Sequence, residues 1–245
     1  MVIGWCAGLE AWPRLRDAGF DAVEVGAAAT FGDDGLGLPP GVPVQSTNLF
    51  LPGGARLYGP DSRDWGPYVR RMIRRAAEAG VTMMVVGSGG ARRAADGQTP
   101  ADAEVAFADL VAGWQVDARA AGITLAPEPL NHRECDVMVL YSRLTQLMAE
   151  RGGQVTLDSY HSLVERDPAQ LDPSAYWTKE LTQMPVHIHL SSADRLAPAP
   201  GDPWLEALAR LMKSRSYNGR VMVEAALPET PEALRTTREA LRVWE

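Results

Sequence analysis

A single eight-stranded parallel α/β barrel, (β/α)8, is the fold this 245-residue sequence predicts. Three observations predict it. Short apolar runs rich in β-branched residues alternate with helical patterns almost from end to end, which makes a parallel sheet. The runs number eight, and eight βα repeats point to a closed barrel rather than an open one. The length and a hydrophobic content of 46% suffice for one well-buried core, with no linker or low-complexity stretch to divide it. Residues 1–245 are therefore read as one domain.

The elements follow in order. Residues 2–6 read as the first strand and 9–18 as a helix stopped by Gly19. Residues 21–25 make the second strand. The Gly-, Ala- and Pro-rich stretch 26–41 holds no convincing helix, so the second helix is expected to be missing or reduced to a turn. Residues 42–49 form the third strand. Asp61 can cap a helix over 63–79 that ends at Gly80, before the fourth strand at 81–86. A glycine-rich loop, 87–97, precedes Thr99-Pro100, the signature of an N-cap followed by a first-turn proline, and a helix over 102–121. The second half repeats the alternation: strand 123–127, helix 137–151, strand 155–157, helix 171–183, strand 186–190, a helix over 203–214 capped by Asp202, strand 220–223, and a closing helix over 231–243.

Bulk composition narrows the function. A net charge of −7 disfavours a nucleic-acid or anionic-membrane surface. Two cysteines, Cys6 and Cys135, suggest no disulfide framework, so a cytoplasmic location is expected. Neither a membrane-length apolar run nor a signal peptide is indicated.

Four potential metal ligands stand at the ends of the last four strands: Glu128 in APEPLN, Asp158 in VTLDSYH, His189 in VHIHL and Glu224 in VMVEA. They are spaced 30, 31 and 35 residues apart, close to the length of one βαβ repeat. Parallel strand ends converge on one mouth of a barrel, so these side chains are expected to meet there. Three carboxylates and one imidazole form an oxygen-rich site for a divalent cation. Any one of them alone could instead cap a helix or pair with an arginine. Glu134, His161 and Arg195 lie a few residues beyond these ligands and are expected on the rim, able to hydrogen-bond a polyol. Trp5, ending the first strand, could pack an apolar sugar face. Glu24, ending the second, is expected either to contact substrate or to support a ligand. His187 is expected to be buried and hydrogen-bonded, and His132 solvated. The loop GSGGARR, residues 87–93, could let backbone N–H groups and arginine meet a phosphate or carboxylate, or serve as a flexible lid; it is not a P-loop, because no Gly-Lys-Ser/Thr follows.

EPLN with an acid six residues beyond its glutamate, LDSYH, HIHLSSADR and VMVEA together resemble the motifs of the sugar phosphate isomerase/epimerase superfamily of xylose-isomerase-like TIM barrels. Among these the pattern is most similar to the ketose 3-epimerases of the tagatose and allulose type. The resemblance implies one divalent ion held by Glu128, Asp158, His189 and Glu224, Mn2+ first, with Mg2+, Co2+ or Zn2+ as alternatives, and no organic cofactor. It implies an enzyme, an isomerase, with Glu128 and Glu224 as the acid/base pair of an epimerase or isomerase working through a metal-stabilised enediolate. Glu134, His161 and Arg195 would grip the oxygens of a small sugar or polyol-like substrate, and a homodimer is allowed. The chain departs from the epimerase pattern in its trimmed segment after the second strand, in GSGGARR, and in His132-Arg133 after EPLN. These positions bear on the identity of the sugar.

Two alternatives use the same metal and fold. One is a lyase or dehydratase acting on a keto-inositol or dehydroshikimate-like substrate; the other is a subunit of a C-glycoside-cleaving complex. The metal-dependent nuclease branch of this fold needs a multi-zinc, histidine-rich site, and a chain with 4 histidines and an acidic balance fits it poorly.

Overall fold

A computed structural model describes residues 1–35 and 37–245. The eight strands are β1 (Val2–Cys6), β2 (Ala22–Gly26), β3 (Ser46–Asn48), β4 (Met83–Val86), β5 (Thr124–Pro127), β6 (Thr156–Asp158), β7 (His187–Leu190) and β8 (Arg220–Val223). All pairings are parallel, in the order β5-β4-β3-β2-β1-β8-β7-β6. Among the described residues β5 and β6 share no backbone ladder. The Thr156 hydroxyl spans that seam and donates to the Ala126 carbonyl at 3.2 Å. The sheet is thus a nearly closed (β/α)8 barrel, as the alternation predicts.

Strand composition explains the closure. All four residues of β4, Met-Met-Val-Val, are buried, as expected of a parallel strand covered on both faces. Gly4, in the middle of β1, leaves room for the Ala22 carbonyl of β2 and the Met222 sulfur of β8. A Cβ there would overlap both, so the glycine lets three strands approach closely.

The helices are α1 (Trp12–Asp17), α2 (Ala27–Phe31), α3 (Gly66–Glu78), α4 (Gly89–Arg92), α5 (Pro100–Ala120), α6 (Tyr141–Ala149), α7 (Ser159–Glu165), α8 (Pro173–Glu180), α9 (Pro203–Ser214) and α10 (Pro231–Ala240). Four of them, α5, α8, α9 and α10, begin with the same device. A Thr or Asp side chain accepts from backbone N–H groups of the first turn and a proline follows it: Thr99-Pro100, Asp172-Pro173, Asp202-Pro203 and Thr230-Pro231. Each cap satisfies N–H groups that would otherwise lack partners, worth about 1 kcal/mol. One apolar core joins the barrel to this helical layer, with Trp177, Phe107, Leu208 and Met72 fully enclosed.

Several boundaries differ from the expectation, each for a local reason. The second helix is reduced, as expected, to the five residues of α2. β3 is three residues rather than eight, because Pro43 has no N–H to give and residues 42–45 run outside the ladder. Asp61 does not cap α3. The helix starts later, at Gly66, and it is Asp64 that accepts from the Gly66 N–H, at 2.8 Å. The loop 87–97 contains the single turn α4. α6 begins four residues later than expected, and α8 is confined between its Asp172 cap and Glu180. α7 is unanticipated, because Asp158 both ends β6 and caps the helix that follows at once, accepting from the His161 N–H at 2.9 Å. Among the described residues no helix is long and apolar enough to cross a membrane.

Candidate functional site

The last four strands deliver Glu128, Asp158, His189 and Glu224 to one point. A ligand atom from each lies within 4.8 Å of the others. The backbone explains the convergence. Asp158 pairs in register with His189, and Leu190 with Val223. Glu224 and Glu128 extend the ladder by one residue, donating their N–H groups to the Leu190 and Val86 carbonyls at 3.1 and 3.4 Å.

His189 is the centre of the cluster. Its Nδ1 lies 2.8 Å from Glu128 Oε2, 3.0 Å from Glu224 Oε2 and 3.8 Å from Asp158 Oδ2. Its Nε2 is 2.7 Å from Glu24 Oε1, and the other Glu24 oxygen is 2.9 Å from His187 Nε2. Glu24 is buried beneath the site against both histidines, and it also borders the cavity beside Cys6. With Nε2 donating to Glu24, Nδ1 is the nitrogen turned to the acids and the one a metal ion would take once its proton leaves.

Charge balance tests whether these residues fit a cation. Burial and the neighbouring Glu224 and Glu128 push the Asp158 carboxyl well above the usual carboxylate range. Burial opposes ionisation of Glu224 too, but His189 and Arg195 hold it down at about 2. Burial works against charge on His189, yet Glu224, Glu24, Cys6 and Glu128 hold its pKa well above the usual value. Three acids thus share one imidazole and the half-exposed Arg195, a deficit of positive charge that a divalent ion would make good. Cys6, Glu24 and His189 form a second grouping of donor atoms. It offers one carboxylate, already engaged by two histidines, and fits a hard cation less well.

The rim residues gather as well. Arg195 donates to Glu134 at 2.9 Å and to Glu224 at 3.3 Å, and its guanidinium lies 4.9 Å from the centre of the Tyr160 ring. His161 sits deeper than expected, 2% exposed, with Nδ1 2.8 Å from the Asn131 amide. Burial lowers its pKa to about 4, so near neutral pH it is an uncharged imidazole; with Asn131 donating to Nδ1, its Nε2–H is the donor. His187 is buried against Glu24, and the His132 side chain is largely exposed beside Glu165. Trp5 corrects the sequence expectation. It is fully buried, edge-on to Phe20, and its Nε1 donates to the Ala225 carbonyl at 3.0 Å, so it offers no face to a ligand. The next residue, Cys6, is the one turned to the site, with Sγ 3.5 Å from Glu24.

Three supporting residues are not legible in the sequence as supports: Asn131 has no assigned role there, and Gly87 and Arg92 read only as part of a cradle or lid loop. Asn131 orients His161. Arg92, fully buried, donates to the Glu128 carbonyl at 3.0 Å and stacks on Phe107. Gly87 lies so close that any Cβ there would overlap Glu128 Oε1. Gly87→Ala is therefore expected to displace the Glu128 carboxylate and weaken divalent-ion binding by roughly ten- to a hundredfold, the usual cost of disturbing a ligand's support. Gly90→Ala is the control, since a Cβ there meets nothing within 4 Å. Calorimetric titration of both with Mn2+ checks this; equal affinities would refute it.

A parallel barrel whose C-terminal mouth gathers three carboxylates around one imidazole defines a class: a (β/α)8 protein with a buried cluster of donor atoms that could hold a metal ion. More particularly, the chain belongs to the Xylose isomerase-like TIM barrel family, whose model matches residues 12–245. No curated protein sequence matches it. Among solved structures it is similar to the apo form of 3-keto-D-glucoside 4-epimerase from E. coli, with a TM-score of 0.75, 19% identity and 99% of each chain covered. It is similar to the D-allulose 3-epimerase of Methylomonas sp. in complex with D-allulose, with a TM-score of 0.72, 15% identity, and 99% of this chain and 90% of that one covered. It is also similar to the Clostridium cellulolyticum H10 D-psicose 3-epimerase with D-tagatose, with a TM-score of 0.71, 15% identity, and 100% and 90% covered. At these identities the likeness carries the fold.

Proposed function

We propose that this protein is a divalent-metal-dependent epimerase or isomerase of a ketose or keto-sugar derivative. The observation that carries the reading is the meeting of Glu128, Asp158, His189 and Glu224 within 4.8 Å at the barrel mouth. Those four would hold the ion, Mn2+ being the expected one. When bound, the ion supplies Lewis-acid polarisation of a carbonyl and stabilises the charge of an enediolate. The chain's own residues do the rest. Glu128 from the end of β5 and Glu224 from the end of β8 take and return the proton on the carbon beside the carbonyl. Arg195, bridging Glu134 and Glu224, holds substrate oxygens over the opening, and neutral His161 donates from Nε2. The solved structures similar to this chain are named for keto sugars, a keto-glucoside in one case and ketoses in others, which supports a substrate of that kind.

NMR of the reaction in D2O, with Mn2+ replaced by Mg2+ to spare the line widths, tests the assignment on a panel of ketoses and 3-keto-glycosides. Deuterium entering beside the carbonyl with no loss of water is the expected result. An α,β-unsaturated product would replace it with the lyase reading. No exchange on any member, with the ion bound, would favour a subunit that needs a partner.

A further inference from the structure

The mouth of this barrel is divided. Strands β5 to β8 bring all four ligands and the rim residues. The segments after β2, β3 and β4 enclose instead a cavity of about 610 Å3 walled by Ala29, Leu49, Leu51, Pro52, Ala55 and Ala91, among others. We propose that the substrate carries an uncharged apolar substituent, of the size of an aromatic ring, that seats in this pouch while its sugar lies at the acids. The proposal rests on the sugar reading of the site above.

Four observations carry it. First, the pouch has no charged lining residue, and its one polar side chain is Ser88, whose Oγ already accepts from the Leu51 N–H at 2.9 Å. Arg56, at its edge, donates to the Ala55 and Gly90 carbonyls at 3.0 and 2.8 Å. The hydroxyls of a long polyol tail would find few side-chain partners here, and no charged residue lines the pouch to meet a phosphate; both would exchange hydration mainly for apolar wall. Second, the volume falls within the range of pockets that take ligands of several rings.

Third, Leu49 stands in the wall, 61% exposed as a residue, with its backbone at φ 44, the left-handed region disfavoured for a leucine. Its carbonyl is fixed by the Ala28 N–H at 3.2 Å. An exposed leucine held in a strained conformation carries two costs that an apolar ligand packed against it would offset. Fourth, the pouch is continuous with the site. Gly87 touches Glu128, and Ser88 to Ala91, next in the chain, line the pouch. Leu49 is also a wall of the neighbouring cavity that contains Glu24 and Cys6.

Isothermal titration of the Mn2+-loaded protein with methyl and phenyl glycosides of D-glucose and D-fructose, both anomers of each, tests the pouch by ratio. In at least one pair the phenyl glycoside is expected to bind tenfold or more tightly than its methyl counterpart. Ala29→Trp, which fills the pouch from an exposed position on α2, is expected to bring that ratio to within twofold. A ratio within twofold for every pair of the unmodified protein, or no binding of any phenyl glycoside, overturns the proposal. Deuterium exchange into unsubstituted ketoses is read separately. A flat ratio with intact exchange removes the pouch and keeps the reaction, whereas a steep ratio without exchange on any keto sugar keeps the pouch and removes the reaction.

Discussion

Replacing Glu128 or Glu224 by glutamine is expected to lower the rate of deuterium exchange at least about a thousandfold while leaving the chain folded, a loss within the range of acid–base catalysis and equal to about 4 kcal/mol of barrier. The reason is local. Each carboxylate lies about one hydrogen-bond length from His189 Nδ1, 2.8 Å for Glu128 and 3.0 Å for Glu224. An amide matches the shape but takes no proton and binds a hard cation more weakly. The two roles separate experimentally. A glutamine variant that retains the ion by elemental analysis yet has lost exchange has lost a base. One that has lost both has lost a ligand. Asp158→Asn gives the contrast, because Asp158 is committed to the His161 N–H and is expected to act through the ion alone. Near-normal exchange in either glutamine variant would remove that residue from the chemistry.

What the chain discloses before folding follows from what barrel geometry constrains. The convergence of the four candidate ligands is legible because strand ends recur at a nearly fixed interval and all open onto one mouth. The rim residues follow, since each lies only a few residues beyond a strand end at the opening. Orientation within a strand is less legible. Trp5 and Cys6 are adjacent at the end of β1, and register decides which turns inward. Cys6 pairs with Glu24 and faces the site, whereas Trp5 pairs with Val23 and packs against Phe20. Nothing in the local sequence distinguishes them. Supporting contacts are hidden for the same reason. Glu24 reaches His187 and His189 across the barrel, and Arg92 reaches the Glu128 carbonyl from another repeat. Gly87 reads as a turn glycine, yet its lack of a side chain makes room for Glu128. α7 is not legible because a strand passes into a helix with no intervening loop, and Asp158 gives no sign in the sequence that it serves both.

Stripping the divalent ion with a chelator is expected to abolish exchange and to lower the melting temperature, with both restored by Mn2+. An ion that binds only the folded chain stabilises it by about 4 kcal/mol at a thousandfold excess over its dissociation constant. For a barrel of this size that is a shift of roughly 10 °C. The metal-free cluster explains the sign. Asp158, Glu128 and Glu224 crowd around one imidazole; burial first, and repulsion from the two glutamates second, drive the Asp158 carboxyl toward its protonated form, and a cation among them would remove the repulsion. Binding also has a proton cost, because Nδ1 of His189 must give up the proton that the surrounding carboxylates hold there. Affinity is therefore expected to rise with pH across the neutral range, and titrations in buffers of different ionisation enthalpy should register proton release. Exchange that survives exhaustive chelation, or a melting temperature indifferent to Mn2+, would mean that the four donors are a buried hydrogen-bonded cluster and not the seat of an ion.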